Sequence, residues 1–262
     1  MVPVSDVDDT YMPTAVAERS GICTARGVPA PTLGDVSAEP SAQDSPAVGD
    51  PSVGPPERIR DAERTRADIL AVATSEFADR GYAGARINEI ADKTSTTKRM
   101  IYYYFGGKEQ LYIAVLEQAY SRIRTLEQQL DVEHLDPVEA IRELAGLTFD
   151  HHESHPDFIR LVSIENIHRA RHIARSKALS NLANPAVDVL GTILERGRSE
   201  QLFRHDVDAL DVHQVISSYC VFRIANRHTF GAIFDRDMLD PARRAHQRRM
   251  LGDLVVAFLT AD

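Results

Sequence analysis

The sequence predicts an all-α protein, and three observations lead to this prediction. From about residue 64 onward, apolar residues recur at spacings of three and four, as they do along one face of a helix. No segment alternates convincingly between apolar and polar residues, as a half-buried strand does. Asp-Pro or Asn-Pro pairs stand at 136–137, 184–185 and 240–241, where Asp or Asn can cap a helix that begins with proline.

Composition and charge exclude several classes of protein. The 262 residues include 30 basic and 39 acidic side chains, and the net charge of −9 excludes a uniformly basic nucleic-acid coat but not a local basic site. With only Cys23 and Cys220, neither a disulfide framework nor a cysteine zinc finger is expected. The longest apolar run, 254–259, is far shorter than the ~20 residues of a membrane helix, and no secretory signal is visible. We therefore expect a cytoplasmic protein without a membrane partner.

Residues 1–56 are predicted to form a disordered acidic tail rich in Pro, Ala and Ser. They contain nine of the 13 prolines, and eight acidic residues against two basic ones. Without a helical or strand period, no face could be buried to offset the entropy of ordering. An interaction arm is the alternative, although DNA phosphate would repel its carboxylates.

Residues 57–108 are predicted to form three short helices, and the charge balance becomes positive only here, with ten basic and eight acidic residues. The apolar stripe of the first helix consists of Ile69, Leu70, Ala73 and Phe77. Gly81 follows this stripe and suits the C-terminal end of a helix.

The next two helices form a helix-turn-helix pattern. The second helix carries Ile87, Ile90 and Ala91 at helical spacing, and the three residues from Thr94 to Thr96 favour a turn. The third helix is predicted from Thr97 to about Tyr104, with Ile101 buried and Gly106-Gly107 ending it.

The third helix has the chemistry of a DNA-recognition helix. Lys98 and Arg99 lie at its N-terminus, where they can reach guanine edges or phosphates. The three successive tyrosines Tyr102, Tyr103 and Tyr104 point in directions about 100° apart, so they cannot share one environment. One of them is therefore expected to pack in the core.

These residues resemble the DNA-binding domain of the TetR family of transcriptional regulators. The resemblance covers about 48 residues, from Arg64 to Leu111, and combines helix lengths, turn position and the pattern Tyr-Tyr-x-Phe-x-x-Lys-x-x-Leu at 102–111. It implies an all-α homodimer with an N-terminal helix-turn-helix module, here 57–108. A variable C-terminal domain for effector binding and dimerisation would then occupy 109–262.

The resemblance also implies a set of DNA contacts: Arg86, Thr97, Lys98, Arg99, Tyr102, Tyr103, Tyr104 and Lys108. In the family, Arg86 takes the contact place at the start of the second helix, and Tyr103 takes a place that commonly contacts the DNA backbone. Lys108 takes the place of a phosphate-binding lysine, and the others take places that face the major groove. Ser95 departs from the family, which usually has glycine at this turn position because it suits a left-handed conformation. We therefore expect a strained or altered turn.

Six further helices are predicted after residue 108. They begin near 108, 136, 156, 184, 208 and 240, and the one from Asp208 is expected to continue to about Thr229. The last two have the wide apolar faces of a four-helix dimer bundle, including Met250, Leu254 and Phe258. Packing of these residues inside one subunit is the alternative.

The histidines raise the question of a metal site. His151 and His155 share a helix face, but 152–155 is one residue short of the HExxH spacing, and Pro156 follows directly. We interpret this segment as a polar helix end, and His168 and His172 as part of a solvated face. Cys220 is interpreted as core. No metal ligand set, cofactor site or enzymatic motif is expected.

An effector cavity is expected between the helices from 108 to about 229, because a sensor must bury its ligand between elements that can shift. The candidate ligand-binding residues are Phe149, Arg160, Asn166, Tyr219, Phe222 and Arg223, with Glu165 and Asn226 as further polar candidates. For each of them an internal salt bridge or an exposed face is the alternative. A buried Arg160 or Arg223 would favour an anionic effector.

The sequence thus predicts a ligand-responsive repressor that a small-molecule effector releases from a palindromic, double-stranded DNA operator. A transcriptional activator of the same family is an alternative. A helical ligand-binding protein with a vestigial helix-turn-helix is another, but such a protein is expected to have lost Lys98, Arg99 and Lys108.

Overall fold

The computed structural model describes residues 57–181 and 183–260, and every regular element in these ranges is helical. The helices are α1 (Glu57–Gly84), α2 (Ile87–Lys93), α3 (Lys98–Phe105), α4 (Lys108–Gln128), α5 (Pro137–Ser154), α6 (Pro156–Ile167), α7 (Lys177–Asn181), α8 (Ala183–Ser199), α9 (Ala209–Ala225), α10 (Arg227–Phe234) and α11 (Pro241–Thr260), with one 3₁₀ turn at Ile173–Arg175. The all-α fold class is confirmed. The predicted tail, 1–56, lies outside the described residues. None of the described helices has the length and apolar character needed to span a membrane.

The first core joins α1, α2, α3 and the N-terminal half of α4. Ile69 and Phe77 from α1 meet Ile90, Ile101 and Leu111 from the next three helices, and all five are inaccessible to solvent. The predicted apolar stripes therefore pack against each other, which fixes the orientation of α3.

The turns of this region use left-handed backbone where the sequence predicts it. Gly81, with φ of 69°, interrupts α1 and redirects the chain towards α2. Ser95 has φ of 50°, so serine occupies the left-handed turn position that glycine would adopt without strain. The Thr97 hydroxyl caps α3 by accepting a hydrogen bond from the Met100 amide at 3.3 Å.

A second core joins α5, α8, α9 and α11. Ile141 and Phe149 from α5 pack with Ile193, Val212 and Leu251, and all five are fully buried. Cys220 also belongs to this core, as predicted. The predicted N-cap of α5 is confirmed, because the Asp136 side chain accepts backbone amide hydrogen bonds there, and the Asp208 side chain caps α9 in the same way. Asn184, in contrast, lies inside α8, which begins at Ala183.

Two features of the C-terminal half differ from the prediction. The helix expected from Asp208 to about Thr229 is interrupted at Asn226, and α10 follows as a separate helix. The 3₁₀ turn and α7 between 173 and 181 were not predicted, because the five residues of α7 are too few to show a helical period.

Candidate nucleic-acid interface and internal cavities

Helix α3 separates a polar outer face from a buried inner face. It buries Ile101 and Phe105 in the first core. Thr97, Lys98 and Arg99 are exposed, as are Tyr102 and Tyr103, of which 45% and 78% of the surface is accessible. Tyr104 is half-buried and packs against the first core, so one of the three tyrosines has the predicted packing role.

The cations on this face are available to a ligand. Within the described part of the chain, no carboxylate lies within ion-pair distance of Arg86, Lys98 or Arg99. The neighbouring Lys93, in contrast, is paired with the Glu76 carboxylate at 2.6 Å, and Arg80 binds the same carboxylate at 3.0 Å. The structure thus leaves unpaired cations on the face where phosphates or base edges would dock.

Lys108 begins α4 and occupies a built site at the edge of this face. Its ammonium group lies 3.3 Å from the Ala83 carbonyl oxygen, to which it donates a hydrogen bond. It also lies 4.9 Å from the centroid of the Tyr82 ring. Burial lowers the pKa of the Lys108 ammonium group.

A cavity that is partly open to solvent lies between α4, α5, α6 and α9, within the region where the sequence predicts an effector site. Its volume is about 180 Å³, and Phe158 and Val162 form part of its apolar wall. Polar atoms come from Arg124, His152 and His213. A cavity of roughly 150 Å³ holds benzene, so this cavity has room for a molecule built on a single ring.

Burial keeps the histidines near this cavity uncharged. The segment does end α5, as predicted, but His151 and His152 are only 3% and 4% exposed, so its interpretation as polar surface is wrong. Burial lowers the pKa of His151 to about 3 and that of His152 to about 4, and it also lowers the pKa of His213. The His152 Nδ1 atom lies 2.8 Å from the Thr148 carbonyl oxygen, so Nδ1 carries the proton.

A second, wider groove of about 650 Å³ lies between α1 and α4. Arg66, Gln118 and Arg122 border it, and His151 and His155 stack on each other at its floor, with ring centroids 4.5 Å apart. Neither ring nitrogen of His151 has a hydrogen-bond partner in the described structure.

The six candidate ligand-binding residues do not surround one cavity. Phe149 is in the second core, and the Arg223 guanidinium lies 4.0 Å from its ring centroid. Arg223 is itself buried and bound to Glu153 at 3.0 Å, so it is part of an internal ion pair. Tyr219 is half-buried beside the second core and does not line the α4–α5–α6–α9 cavity.

The other three lie near the surface, which corrects the predicted set. Arg160 borders a separate groove and pairs with Asp79 at 2.7 Å, with 41% of its side chain exposed. Asn166 is exposed, and its amide donates to the Val162 carbonyl at 2.9 Å. Phe222 is 47% exposed on the outer face of α9. The alternative of an internal salt bridge or an exposed face therefore holds for most of the set.

Sequence reasoning also missed a buried, hydrogen-bonded pair of polar side chains. Glu165 and His172 are 1% and 2% exposed and lie 2.7 Å apart, so the interpretation of His172 as part of a solvated face is wrong. The signal is weak in the sequence, because a separation of seven residues across a break in the helix predicts no contact.

The final helix has two apolar faces. Leu251, Val255 and Leu259 are buried in the second core. On its other side, Met250 and Leu254 are 42% and 51% exposed. Phe258 is half-buried and borders the same groove as residues of the exposed face of α9. Packing inside one subunit therefore accounts for only part of the predicted apolar face.

A capped helix whose exposed cations have no carboxylate partner among the described residues, joined to a helical domain with a cavity, is the architecture of a helix-turn-helix DNA-binding regulator. Family models identify which one. The model for bacterial regulatory proteins of the tetR family matches residues 69–115, and the model for the tetracyclin repressor-like C-terminal domain matches 137–255.

Individual relatives agree with these matches. The HTH-type transcriptional repressor NicS of Pseudomonas putida is 37% identical over 199 residues, which cover 76% of this chain and 94% of NicS. The HTH-type transcriptional repressor SCO4008 of Streptomyces coelicolor is 37% identical over 110 residues, 41% of this chain and 53% of SCO4008. The crystal structure of SCO4942 from Streptomyces coelicolor superimposes with a TM-score of 0.56 at 28% identity, covering 72% of this chain and 97% of SCO4942. The chain belongs to the TetR family of transcriptional regulators.

Proposed function

We propose that the protein is a dimeric repressor that binds a palindromic operator and leaves it when a small effector fills the α4–α5–α6–α9 cavity. The observation that carries this proposal is the outer face of α3, where exposed cations and hydroxyls lie on a helix held firmly by Ile101 and Phe105. The similarity to NicS and SCO4008, both named as repressors, supports repression over activation.

The DNA contacts divide into two roles. Lys98 and Arg99 read guanine edges, because they are exposed at the N-terminal end of the recognition helix. Arg86, Tyr103 and Lys108 bind phosphates and set the register of the protein on the duplex. The remaining contacts, from Thr97, Tyr102 and Tyr104, line the major groove, with Tyr104 limited to its exposed edge.

The effector is a small molecule that is bound largely by apolar contacts and by neutral imidazoles. The low pKa values of His152 and His213 mean that these side chains offer hydrogen bonds rather than positive charge near pH 7. His152 presents Nε2 as an acceptor, because Nδ1 carries the proton. An effector with a hydroxyl or N–H group matches this arrangement.

Helix α6 connects the cavity to the DNA-binding module. Phe158 and Val162 line the cavity, while Arg160 on the same helix pairs with Asp79 of α1 at 2.7 Å. An effector that fits better to a shifted α6 would favour a state in which α1 and the recognition helix are displaced.

Two subunits pair through the exposed faces of α9 and α11. This pairing covers Leu210, Met250 and Leu254, which are between 42% and 59% exposed in the single subunit. To enter successive major grooves of a palindrome, the two recognition helices of this dimer need to lie about 34–36 Å apart. We assign DNA binding to residues 57–108, and effector binding and dimerisation to residues 109–262.

The direct test is selection of genomic DNA fragments by the purified protein, followed by affinity measurement on the enriched sequence. We expect a palindrome with half-sites about 10 base pairs apart. Lys108→Ala should weaken binding to all sequences alike and flatten the salt dependence, by a slope of about 0.9 for each lost phosphate contact. Lys177→Ala, an exposed lysine on α7, is the matched control and should change neither. Enrichment of no palindrome would contradict the proposal.

A further inference from the structure

The buried pair Glu165–His172 is joined by more than a single side-chain hydrogen bond. One carboxylate oxygen of Glu165 lies 2.7 Å from Nδ1 of His172. The other accepts backbone N–H bonds from His172 and Ile173, both at 3.2 Å. Burial raises the pKa of the Glu165 carboxyl, but these hydrogen bonds outweigh it and hold the pKa below its ordinary value. The ionised carboxylate thus collects three donors from the segment that follows α6.

The turn between the two partners is strained. Arg169 and Ala170 are consecutive residues without a glycine among them, yet both have left-handed backbone, with φ of 57° and 53°. Such conformations are unfavourable for residues with a Cβ and persist where surrounding contacts enforce them. Here the Glu165 carbonyl accepts the Ala170 N–H at 2.7 Å, and the Glu165 carboxylate holds the end of the turn. This strained turn determines where the His172 ring lies.

The His172 ring lies against the junction of α1 and α4. Its centroid is 4.5 Å from that of Tyr82, at the end of α1, and 4.9 Å from that of Tyr112, in α4. The Lys108 ammonium group lies 4.9 Å from the centroid of the same Tyr82 ring, next to the Ala83 carbonyl. A continuous set of contacts therefore connects α6 to the lysine at the edge of the DNA-binding face.

We propose that Glu165 and His172 are positioning residues for operator binding, which hold the Tyr82 ring and through it the Lys108 ammonium group in the geometry that binds a DNA phosphate. This inference rests on the proposed function, because it takes Lys108 as a phosphate contact. Lysine has a flexible four-carbon stem, so a lysine without a fixed site must be ordered when DNA binds. The carbonyl of Ala83 and the face of Tyr82 provide that site in advance.

The size of the effect follows from the cost of ordering a side chain. Immobilising one long side chain at an interface reduces affinity about two- to twelvefold. A dimer on a palindrome has two such lysines, so loss of the positioning contacts should weaken operator binding by about four- to 150-fold.

A double-mutant cycle in the full-length protein tests this proposal. His172→Leu removes the ring and its donor, and Lys108→Ala removes the lysine. Operator affinity is measured by fluorescence anisotropy with a labelled duplex that carries the selected palindrome. We expect His172→Leu to weaken binding in the wild-type background and to have no further effect in the Lys108→Ala background. His168→Ala, in the same turn, is the matched control and should leave affinity unchanged.

An equal loss in both backgrounds would show a general structural role for His172 and would overturn the proposal, as would an unchanged affinity. Should His172→Leu fail to fold, Glu165→Gln replaces it, because it keeps the side-chain volume and removes the carboxylate that holds the turn. If Lys108→Ala itself leaves affinity and salt dependence unchanged, the phosphate contact and the positioning role both fail. If the His172 and Glu165 variants bind the operator with wild-type affinity while Lys108→Ala binds it more weakly, the proposed function stands and the positioning role is wrong.

Discussion

The outer face of α3 and the interior of the C-terminal half differ in how their charged side chains are paired. On α3, Lys98 and Arg99 are exposed and unpaired within the described residues, so their charge is available to a partner. In the effector half, Arg223 is buried and bound to Glu153, while His151 and His152 are kept neutral by burial. The exposed cations of the first region are available to bind a partner. The buried basic side chains of the second region are paired or uncharged, which allows the helices to pack around a cavity.

This difference explains which residues can be recognised from sequence. The features of the recognition helix are close together in the sequence, because its cap, its buried face and its exposed cations all lie within the nine residues from Thr97 to Phe105. The environment of Arg223 or His172 depends on partners 70 and seven residues away, and no periodicity in the sequence specifies these contacts.

The largest effect of a substitution is expected at the proposed dimer surface. Leu254→Glu places a charge in the proposed interface, where pairing buries an apolar side chain. Burial of leucine contributes about 1.5–3 kcal/mol in each subunit. The variant, alone or with Phe258→Glu, should be monomeric by light scattering and should lose operator binding.

Ala245→Glu is the control for this experiment, because residue 245 is exposed and lies about 180° around α11 from Leu254. It should remain dimeric. A Leu254→Glu protein that is still an intact dimer would place the subunit interface on another surface.

The buried histidines predict a pH dependence of stability. Their pKa values in the folded protein, about 3 for His151 and about 4 for His152, lie below the ordinary value near 6.5. The unfolded chain therefore binds protons first as the pH falls below 6.5, and stability present at higher pH is lost towards pH 4. Between pH 7.5 and pH 5, each histidine should remove about 1–2 kcal/mol from the free energy of unfolding measured with urea.

His151→Phe should reduce this pH dependence, because the ring then has no proton to gain. The exposed His246 provides the control, and His246→Gln should leave the pH dependence as in the wild type. If His151→Phe has the same pH dependence as the wild type, His151 is not a buried neutral histidine in solution.

A smaller effect is expected at the turn before α3. Ser95 has φ of 50°, a conformation that costs residues other than glycine about 1–2 kcal/mol. Ser95→Gly should raise the free energy of unfolding by less than about 1 kcal/mol, because glycine loses more entropy on folding. Thr96→Gly, at a position without positive φ, should instead lower it. A loss of stability in Ser95→Gly would contradict the assignment of strain to this turn.

The smallest effect concerns the acidic segment 1–56. Its eight carboxylates should oppose binding to DNA through their long-range field, which salt screens within about 10 Å at 0.1 M. Removing 1–56 should leave folding and dimerisation intact and modestly tighten non-specific binding at low salt. Removing 1–62, with Arg58 and Arg60, should weaken it. Equal affinities for both truncations at all salt concentrations would show that the segment is only a linker.

Most of the fold could be predicted from the sequence, because its signals are local. The stripes of α1 and α2, the turn from Thr94 to Thr96 and the Asp-Pro start of α5 each need fewer than ten residues to be visible. The break at Asn226 was missed because no glycine or proline marks it and apolar residues continue beyond it into α10.

The candidate site was predictable only where it faces solvent. The proposed DNA contacts on α3 follow from helix geometry and from the family resemblance. The residues that line the cavity could not be predicted, because a polar residue on an apolar helix can line a cavity, as His213 does, or form an ion pair, as Arg223 does. Only the packing of the neighbouring helices distinguishes the two cases.

In the proposed function, the exposed cations on α3 read the operator sequence. Affinities of Lys98→Ala, Arg99→Ala and the wild type, measured on the selected palindrome and on a scrambled duplex of the same length, test this role. We expect each variant to lose about 1–3 kcal/mol on the palindrome and much less on the scrambled duplex, because the lost contacts are to bases. Equal losses on both duplexes, or unchanged affinity for the palindrome, would contradict it.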